Sequence, residues 1–296
     1  MVSVGIPCYN RPEGLRRTLE CITGQTYTNL EIIVSDNCSP ESEIEAIVCD
    51  FIKDDDRIHY YRQDENRGSS FNFKFVLEKA TGKYFMWAAD DDEWEPNFIS
   101  FLLDFLIRNT DIAVVMSGMK RIDDFNNVVD IIRYKELSNQ DYSQFKLSIF
   151  AAGHDIIAYY IYGLFRTTEA KKFYFNIDNS YGKDVIIACE LVLSTKLGYI
   201  DELLFINHIH PEGVAKRYSQ EEIGRSYADP LNYLKLFLNL GPYLLSSPNI
   251  PVKRKLWVPF MVLRRGMFAG RLYVRRICAI IYGRGRKIYQ RISKKT

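Results

Sequence analysis

Three consecutive aspartates, Asp90, Asp91 and Asp92, end an apolar and aromatic run that begins at Tyr84. Carboxylates gathered in one place are natural ligands for a hard divalent cation. The run has β-strand character, and the segment opening at Pro96 is amphipathic at helical spacing, so the acids sit on a tip between a buried strand and a helix. In open α/β sheets ligands bind beyond the carboxyl ends of the strands, which makes this tip the expected place for chemistry. Along an extended chain alternate side chains share a face, bringing Asp90 and Asp92 together, whereas a turn would reverse the pairing. The spacing leaves both arrangements open. The same triplet also reads as a solvated acidic turn that caps the next helix.

The elements that must position such a tip precede it. Val2 to Ile6 reads as a strand ended by Pro7, and Pro12 to Thr23 as a helix with proline at its start and Leu15, Leu19 and Ile22 on one face. Leu30 to Ser35 is a second strand ending at Asp36, followed after Ser39-Pro40 by a helix through Ile44, Ile47, Val48 and Phe51. A third strand, Ile58 to Arg62, leads through Asn66-Arg67-Gly68 to a helix from Phe71 to Lys79, which Thr81-Gly82 stops before the Tyr84 strand. Strands alternating with helices predict a mainly parallel sheet with right-handed crossovers. Ile112 to Ser117 gives a fifth strand. Beyond it Lys120 to Arg133 reads as an antiparallel excursion turning at Asp123 to Asn127, Tyr142 to Ala151 and Asp184 to Thr195 as helices, Tyr159 to Phe165 as a buried strand, and Gly198 to Ile209 as one or two strands.

Composition fits a soluble globular protein: 296 residues, 47% hydrophobic and 26% charged. The net charge of +2 hides an asymmetry, because residues 252–296 carry fourteen Lys or Arg and no Asp or Glu, leaving 25 basic against 37 acidic residues in the rest. The six cysteines form no CxxC pair, which predicts reduced thiols in a cytoplasmic compartment. The chain opens directly into a strand, without the charged and apolar regions of a secretory signal. No apolar run approaches the roughly 18 residues of a membrane span.

Four strand ends now converge on one side: Pro7-Cys8-Tyr9-Asn10, Asp36, Asn66-Arg67-Gly68 and Asp90 to Asp92. As a set they resemble the family 2 glycosyltransferases of GT-A fold. VSVGIPCYNRPEGLRRTLECITGQTYTNLEIIVSDNCSP is similar to the opening of that family, and DDDEWEP to its aspartate-rich metal motif. The resemblance implies a Rossmann-like, mainly parallel sheet flanked by helices over residues 1–215, with a nucleotide-sugar half (1–118) and an acceptor half (119–215). A helical, basic extension is expected over residues 216–296.

The resemblance also implies roles. Pro7, Tyr9 and Asn10 would line the nucleotide, with Tyr9 stacked on uracil; Asp36 would accept the imide proton of the base, and Arg67 would lie near base or diphosphate, beside a glycine that permits close backbone approach. The family pattern is most often Asp-x-Asp-Asp, and its first acid falls on Ala89 here. Asp90 would therefore face the ribose and Asp91 the metal, with Asp92 close by. Mn²⁺ or Mg²⁺ is the implied cofactor, since a Lewis acid stabilises the departing diphosphate. Asp184, after Tyr181-Gly182-Lys183, resembles the general base that deprotonates the acceptor, which implies inversion; the same residue also reads as a helix N-cap. Glu190 is the reserve base, otherwise an exposed or partnered acid. His208 and His210 resemble the loop that closes over the site, with His210 the candidate ligand, although a structural pair is the alternative.

The tail interleaves cations with Trp257, Phe260, Met261, Leu263, Phe268, Leu272, Ile277, Ile280 and Tyr289, a pattern suited to lying in an anionic membrane surface. No nucleic-acid module accompanies it, so nucleic acid is not an expected partner. The expected partners are a UDP-sugar donor and a saccharide acceptor carried on a lipid, handled from the inner face of the membrane in surface polysaccharide synthesis. A dinucleotide-dependent dehydrogenase is excluded by the lack of GxGxxG after the first strand, and a sugar-phosphate nucleotidyltransferase by the lack of a glycine-rich loop there. A processive synthase would need membrane spans and a QxxRW motif. A non-catalytic nucleotide-sugar-binding or scaffold protein of the same fold is the alternative, and Ala89 is its foothold.

Overall fold

The computed structural model describes residues 1–40, 42–123, 125–134, 143–153, 159–174, 183–209 and 230–267. Its sheet begins with the predicted alternation. Strands β1 (Val2–Cys8), β2 (Leu30–Asp36), β3 (Ile58–Arg62) and β4 (Tyr84–Trp87) lie parallel in the order β3-β2-β1-β4. Helices α1 (Pro12–Thr23), α2 (Glu43–Asp54) and α3 (Ser69–Lys79) make the crossovers. β1, central and covered on both faces, is buried at every position, which is why it reads as continuous apolar sequence rather than alternation.

Beyond β4 the sheet continues through short or distant pieces. After β5 (Glu93–Trp94), α4 (Phe98–Arg108), β6 (Ile112–Ile122) and β7 (Val128–Ile132) come helix α5 (Gln144–Ala152), a 3₁₀ turn at Tyr160–Tyr162, β8 (Leu164–Arg166), α6 (Thr167–Tyr174), α7 (Lys183–Ser194) and β9 (Lys196–His208). The full order is β3-β2-β1-β4-β8-β6-β9-β5, with β7 hairpinned onto β6. β6 and β9 run with β1 to β4, while β8, β5 and β7 are antiparallel. The Lys120–Arg133 excursion is therefore the β6–β7 hairpin, closed by Asp123, whose backbone N–H reaches the Asn127 carbonyl at 3.1 Å. The strand expected over Tyr159–Phe165 is instead the 3₁₀ turn and the three-residue β8. Gly163 separates them: its backbone lies so close to the Val115 carbonyl that an added Cβ would come within 2.4 Å of it, and the chain enters the sheet only after this approach.

Trp87 ties the layers together at the end of β4. Its indole N–H donates to the Phe73 carbonyl on α3 at 2.9 Å, and its ring packs edge-on to Phe85 and Phe165 and tilted against Tyr174. The C-terminal extension does not stand apart. α8 (Pro230–Ser246), the loop before α9 (Val252–Lys255) and a further helical stretch over 258–267 contribute Leu240 and Leu244, Ile250, and Val258 and Met261 respectively to the same core. The boundary expected near residue 215 lies outside the described residues.

Candidate functional site

The carboxyl ends of β1 to β4 open into four loops on one edge of the sheet, and side chains sew them together. Asn10, held at φ 53°, where asparagine is tolerated better than most residues, donates its backbone N–H to Ser39 Oγ at 2.9 Å and so joins the first loop to the second. Asn37 joins the second to the third, its Nδ2 reaching Asn66 Oδ1 at 2.8 Å and its Oδ1 accepting the Arg67 N–H at 3.1 Å. Beneath them Asn72, buried at the start of α3, donates to the carbonyls of Cys8 (3.3 Å) and Ser35 (2.8 Å). A buried amide satisfied on both sides fixes the spacing of β1 and β2 where they end.

The fourth loop carries the acids, and a turn settles which of them meet. The Asp92 N–H approaches the Ala89 carbonyl at 3.5 Å, the chain reverses over Asp90 and Asp91, and those two carboxylates converge. Arg11 lies between them, its Nη1 2.9 Å from Asp90 Oδ1 and 2.8 Å from Asp91 Oδ2. Asp90 is only 7% exposed and also accepts the Tyr9 N–H at 3.3 Å. Burial raises its pKa to about 6, with the Arg11 charge opposing and the Asp91 charge adding to the rise.

Asp92 goes elsewhere. It is buried, and its Oδ1 accepts from Asn207 Nδ2 (2.9 Å) and the His208 N–H (3.2 Å) at the end of β9. Burial, then the charge of Asp91, holds its carboxyl well above the usual range. Asp92, expected with Asp91 and His210 as a metal ligand, is thus joined through Oδ1 to the end of the far strand, apart from the Arg11 contact that Asp90 and Asp91 share. Among the described residues no three His, Cys, Asp or Glu side chains gather as a metal site. His208 also has a partner within the protein, its Nε2 lying 2.6 Å from Glu93 Oε1, while His210 falls outside the described residues.

Sequence reasoning missed the face of α1 that grips the acid loop. Arg11, Gly14 and Thr18 follow helical spacing. Thr18 Oγ1 donates to the Ala89 carbonyl at 3.0 Å, and Gly14 packs so tightly that an added Cβ would sit 1.9 Å from the Asp90 carbonyl oxygen. A glycine inside the first turn of an amphipathic helix was the available signal, since helices disfavour it without a packing reason.

At the base end Asp36 is fully buried and its acceptor capacity is spent within the protein. Oδ1 takes the backbone N–H (2.9 Å) and hydroxyl (2.5 Å) of Ser39, and Oδ2 takes Arg62 Nη1 (2.6 Å) and the Tyr60 hydroxyl (3.3 Å). Two oxygens offer about four lone-pair sites, and four donors fill them. Reading a base through Asp36 therefore requires one donor to move. Pro7 is buried in β1, Tyr9 is half-buried, and Arg67 is exposed with its guanidinium 3.8 Å above the Phe71 ring.

Asp184 is the second residue of α7; its side chain is outside what is described. Glu190, two turns on, is the partnered acid of the alternatives given for it. It is fully buried and accepts from Ser247 Oγ, Tyr243 Oη (3.0 Å) and Asn249 Nδ2 (3.0 Å), which pins the C-terminal helices to α7.

The acid pair suits a divalent cation on two observations. Its donors are carboxylate oxygens, the chemistry that Mg²⁺ and Mn²⁺ take, and a guanidinium already stands in as a cation between them. Two protein carboxylates are also enough where substrate phosphates complete the shell.

The extension presents a second surface. Val252, Leu256, Phe260, Leu263 and Met267 are exposed at helical spacing, with Phe145 packed edge-on to Phe260. Among the described residues no helix is long and apolar enough to cross a membrane.

Comparison with known proteins agrees with this geometry. Residues 3–170, more than half of the chain, match the sequence model of the family described as Glycosyl transferase family 2. An uncharacterized glycosyltransferase of Rickettsia prowazekii is 32% identical over 162 residues, covering 53% of this chain and 48% of the relative. A GalNAc(5)-diNAcBac-PP-undecaprenol β-1,3-glucosyltransferase of Campylobacter jejuni is 35% identical over 103 residues, covering 34% of this chain and 33% of the relative. The chain spans less than half the length of these curated relatives. Among solved structures, S. aureus TarS 1–349 in complex with UDP-GlcNAc superposes with a TM-score of 0.66 at 14% identity, covering 90% of this chain and 73% of that one. A mannosyltransferase of Pyrobaculum calidifontis in complex with GDP-Man and Mn²⁺ superposes with a TM-score of 0.53 at 15% identity, covering 94% and 80%. These likenesses establish the fold.

Proposed function

Since the chain belongs to glycosyl transferase family 2, we propose that it moves a sugar from a UDP-sugar to a saccharide acceptor carried on a lipid, with inversion, in polysaccharide synthesis. The observation that carries this reading is the convergence of Asp90 and Asp91 on one cation at the edge where four sewn loops meet. The UDP-GlcNAc complex of TarS supports the choice of donor, the GDP-Man and Mn²⁺ complex supports a divalent cation, and the undecaprenol-linked substrate of the Campylobacter relative supports a lipid carrier.

In this reading Asp91 holds Mn²⁺ or Mg²⁺ and Asp90 orients the ribose beside it. A cation bound there would neutralise charge on the departing nucleoside diphosphate. Tyr9 stacks on the uracil, Pro7 and Asn10 shape the loop around it, and Asp36 with its partner Arg62 faces the edge of the base. Arg67 leaves Phe71 to pair with phosphate, as its planar fork of donors suits. Asp184, at the start of α7, takes the proton of the acceptor hydroxyl, and His210 is a further candidate ligand from the loop after β9.

The same proposal places the protein on the inner, cytoplasmic face of an anionic membrane. The stripe from Val252 to Met267 would enter the acyl boundary and the cations of residues 252–296 would meet headgroups. Cys8, Cys21, Cys38, Cys49 and Cys189 are free thiols, in keeping with that compartment. Arg254 is already engaged, donating to the Leu193 carbonyl at the end of α7 at 3.0 Å, so Lys253 and Lys255 are the nearer headgroup contacts.

The test is calorimetric titration of the chain with UDP, GDP, CDP and dTDP, each with and without Mn²⁺, on the wild type, Asp90→Asn and Asp91→Asn. Selective UDP binding that needs Mn²⁺ and is lost in both variants is the expected result. No binding by any nucleotide refutes the reading and leaves the scaffold alternative, to which Ala89 in place of the usual first acid points.

A further inference from the structure

Arg11 has no part in the donor or acceptor chemistry above, yet it touches both acids at the centre of the site. A single nitrogen, Nη1, donates to one oxygen of Asp90 and one oxygen of Asp91, at 2.9 and 2.8 Å. A cation thus already stands at the oxygens that the donor-site reading gives to the metal and the ribose. The Asp90 side chain is 9% exposed and that of Asp91 31%, so the pair is partly withdrawn from water and its mutual repulsion is poorly screened. Some cation must balance it while the site is empty.

The arginine is placed to supply that charge and to withdraw it. It stands in the N-cap position of α1, one residue before Pro12, so the helix fixes its backbone: the Leu15 N–H bonds to its carbonyl at 3.0 Å. The side chain, by contrast, is one-third exposed. Gly14 and Thr18 hold the acid loop through its backbone carbonyls, and Tyr9 and Arg11 hold it through its carboxylates. The loop therefore has anchors that survive if the guanidinium leaves.

We propose that Arg11 is a resident counter-cation that occupies the bridging position between Asp90 and Asp91 until a metal-bound diphosphate displaces it, and that the displaced guanidinium then donates to the diphosphate. The inference rests on the donor-site reading above. A bare divalent ion must displace Arg11 from the two carboxylates and offers its donors nothing in exchange, whereas an ion arriving with a diphosphate brings new acceptors for the same donors. Metal and nucleotide therefore bind cooperatively, and each tightens the other by the same factor. The site avoids holding free metal and free nucleotide separately.

Titration calorimetry of the full chain with MnCl₂ alone, UDP alone and the two together tests this, comparing the wild type with Arg11→Gln, Arg11→Met and Arg11→Lys. In the wild type UDP should tighten Mn²⁺ by about tenfold or more, the scale of a charge-assisted hydrogen bond exchanged between partners. Arg11→Gln should bind Mn²⁺ alone about tenfold more tightly than the wild type and lose most of the coupling. Arg11→Met keeps the packing of the stem without the charge and should behave alike; Arg11→Lys should keep the wild-type pattern. If the neutral variants unfold at the wild-type temperature yet bind Mn²⁺ alone no more tightly, or keep the coupling, the inference is wrong while the donor site stands. If no protein in the set binds Mn²⁺ or UDP, the donor-site reading fails and takes the inference with it.

Discussion

Replacing Asp90 by asparagine should stabilise the empty protein at pH 8 while removing its metal-dependent nucleotide binding. The folded carboxyl titrates at about 6 instead of 3.8, because burial outweighs the opposing charge of Arg11. A group whose folded pKa is raised contributes its stability below the unfolded value and loses it as pH rises through the folded value. Across that window the loss amounts to about 3 kcal/mol. Asparagine carries no such penalty. It still offers Oδ1 to Arg11, but its amide faces the Tyr9 N–H that Asp90 Oδ2 accepts at 3.3 Å, and losing that bond costs about 1 kcal/mol. The net gain at pH 8 is therefore about 2 kcal/mol, or roughly 4 °C in Tm for a chain of this size. At pH 4 the sign reverses, since wild-type Asp90 is then mostly protonated and only the lost bond remains. Urea unfolding followed by tryptophan fluorescence, with chelator present and pH stepped from 4 to 8, measures the difference; Asp92, whose carboxyl the Asp90 charge helps to raise, is relieved in the variant and adds to its gain at pH 8, while groups distant from Asp90 cancel. A variant less stable at pH 8, or a difference that does not change with pH, refutes the assignment of Asp90 as a strained, functional carboxylate.

Two further outcomes follow from packing. Gly14→Ala places a methyl group 1.9 Å from the Asp90 carbonyl oxygen, so the acid loop must shift. Destabilisation of about 1–3 kcal/mol in urea unfolding is expected, together with weaker Mn²⁺-dependent UDP binding, although the residue touches neither ligand. Undisturbed binding would mean that α1 does not hold the loop. Substituting serine at Leu256, Phe260 and Leu263, which are exposed and support no core, should abolish co-sedimentation with vesicles containing anionic lipid and leave UDP affinity unchanged. Retained sedimentation would assign membrane contact to another surface.

The donor half was legible in the sequence because its signals are local. β1 to β4 are runs of buried apolar residues ended by loop chemistry, and each crossover helix carries its own apolar face, so β1, β2 and β3 are neighbours in the sheet as in the sequence, with β4 crossing to the free side of β1. The far half depends on partners distant in the chain. β5 has two residues and β8 has three; neither length carries a periodicity, and each is a strand only because β9 or β4 and β6 lie beside it. The extension read as a basic tail, but the spacing of Leu240, Leu244, Val258 and Met261 does not say whether their apolar face meets lipid or protein. Glu190 was ambiguous for a related reason: a carboxylate within a helix reads as solvated until its three donors, all beyond residue 242, are seen closing over it.

The aspartate triplet shows how adjacency in sequence can mislead about shared purpose. Asp90 and Asp91 occupy the bend and turn toward Arg11 and the nucleotide edge, whereas Asp92 leaves it toward Asn207 and His208. Asp92 is the more buried of the two flanking acids and, among the described residues, its carboxylate accepts from an amide and a backbone N–H, so burial holds its carboxyl well above the usual range. An acid held this way cannot be exchanged for a ligand without opening the contact between β9 and the tip. That contact joins the end of β9 with the turn that presents Asp90 and Asp91. A change at Asp92 should therefore disturb the alignment of the two halves while leaving the oxygens of Asp90 and Asp91 in place. Three identical side chains in a row thus divide between the proposed donor site and a joint to β9, and the turn at Ala89 decides which goes where.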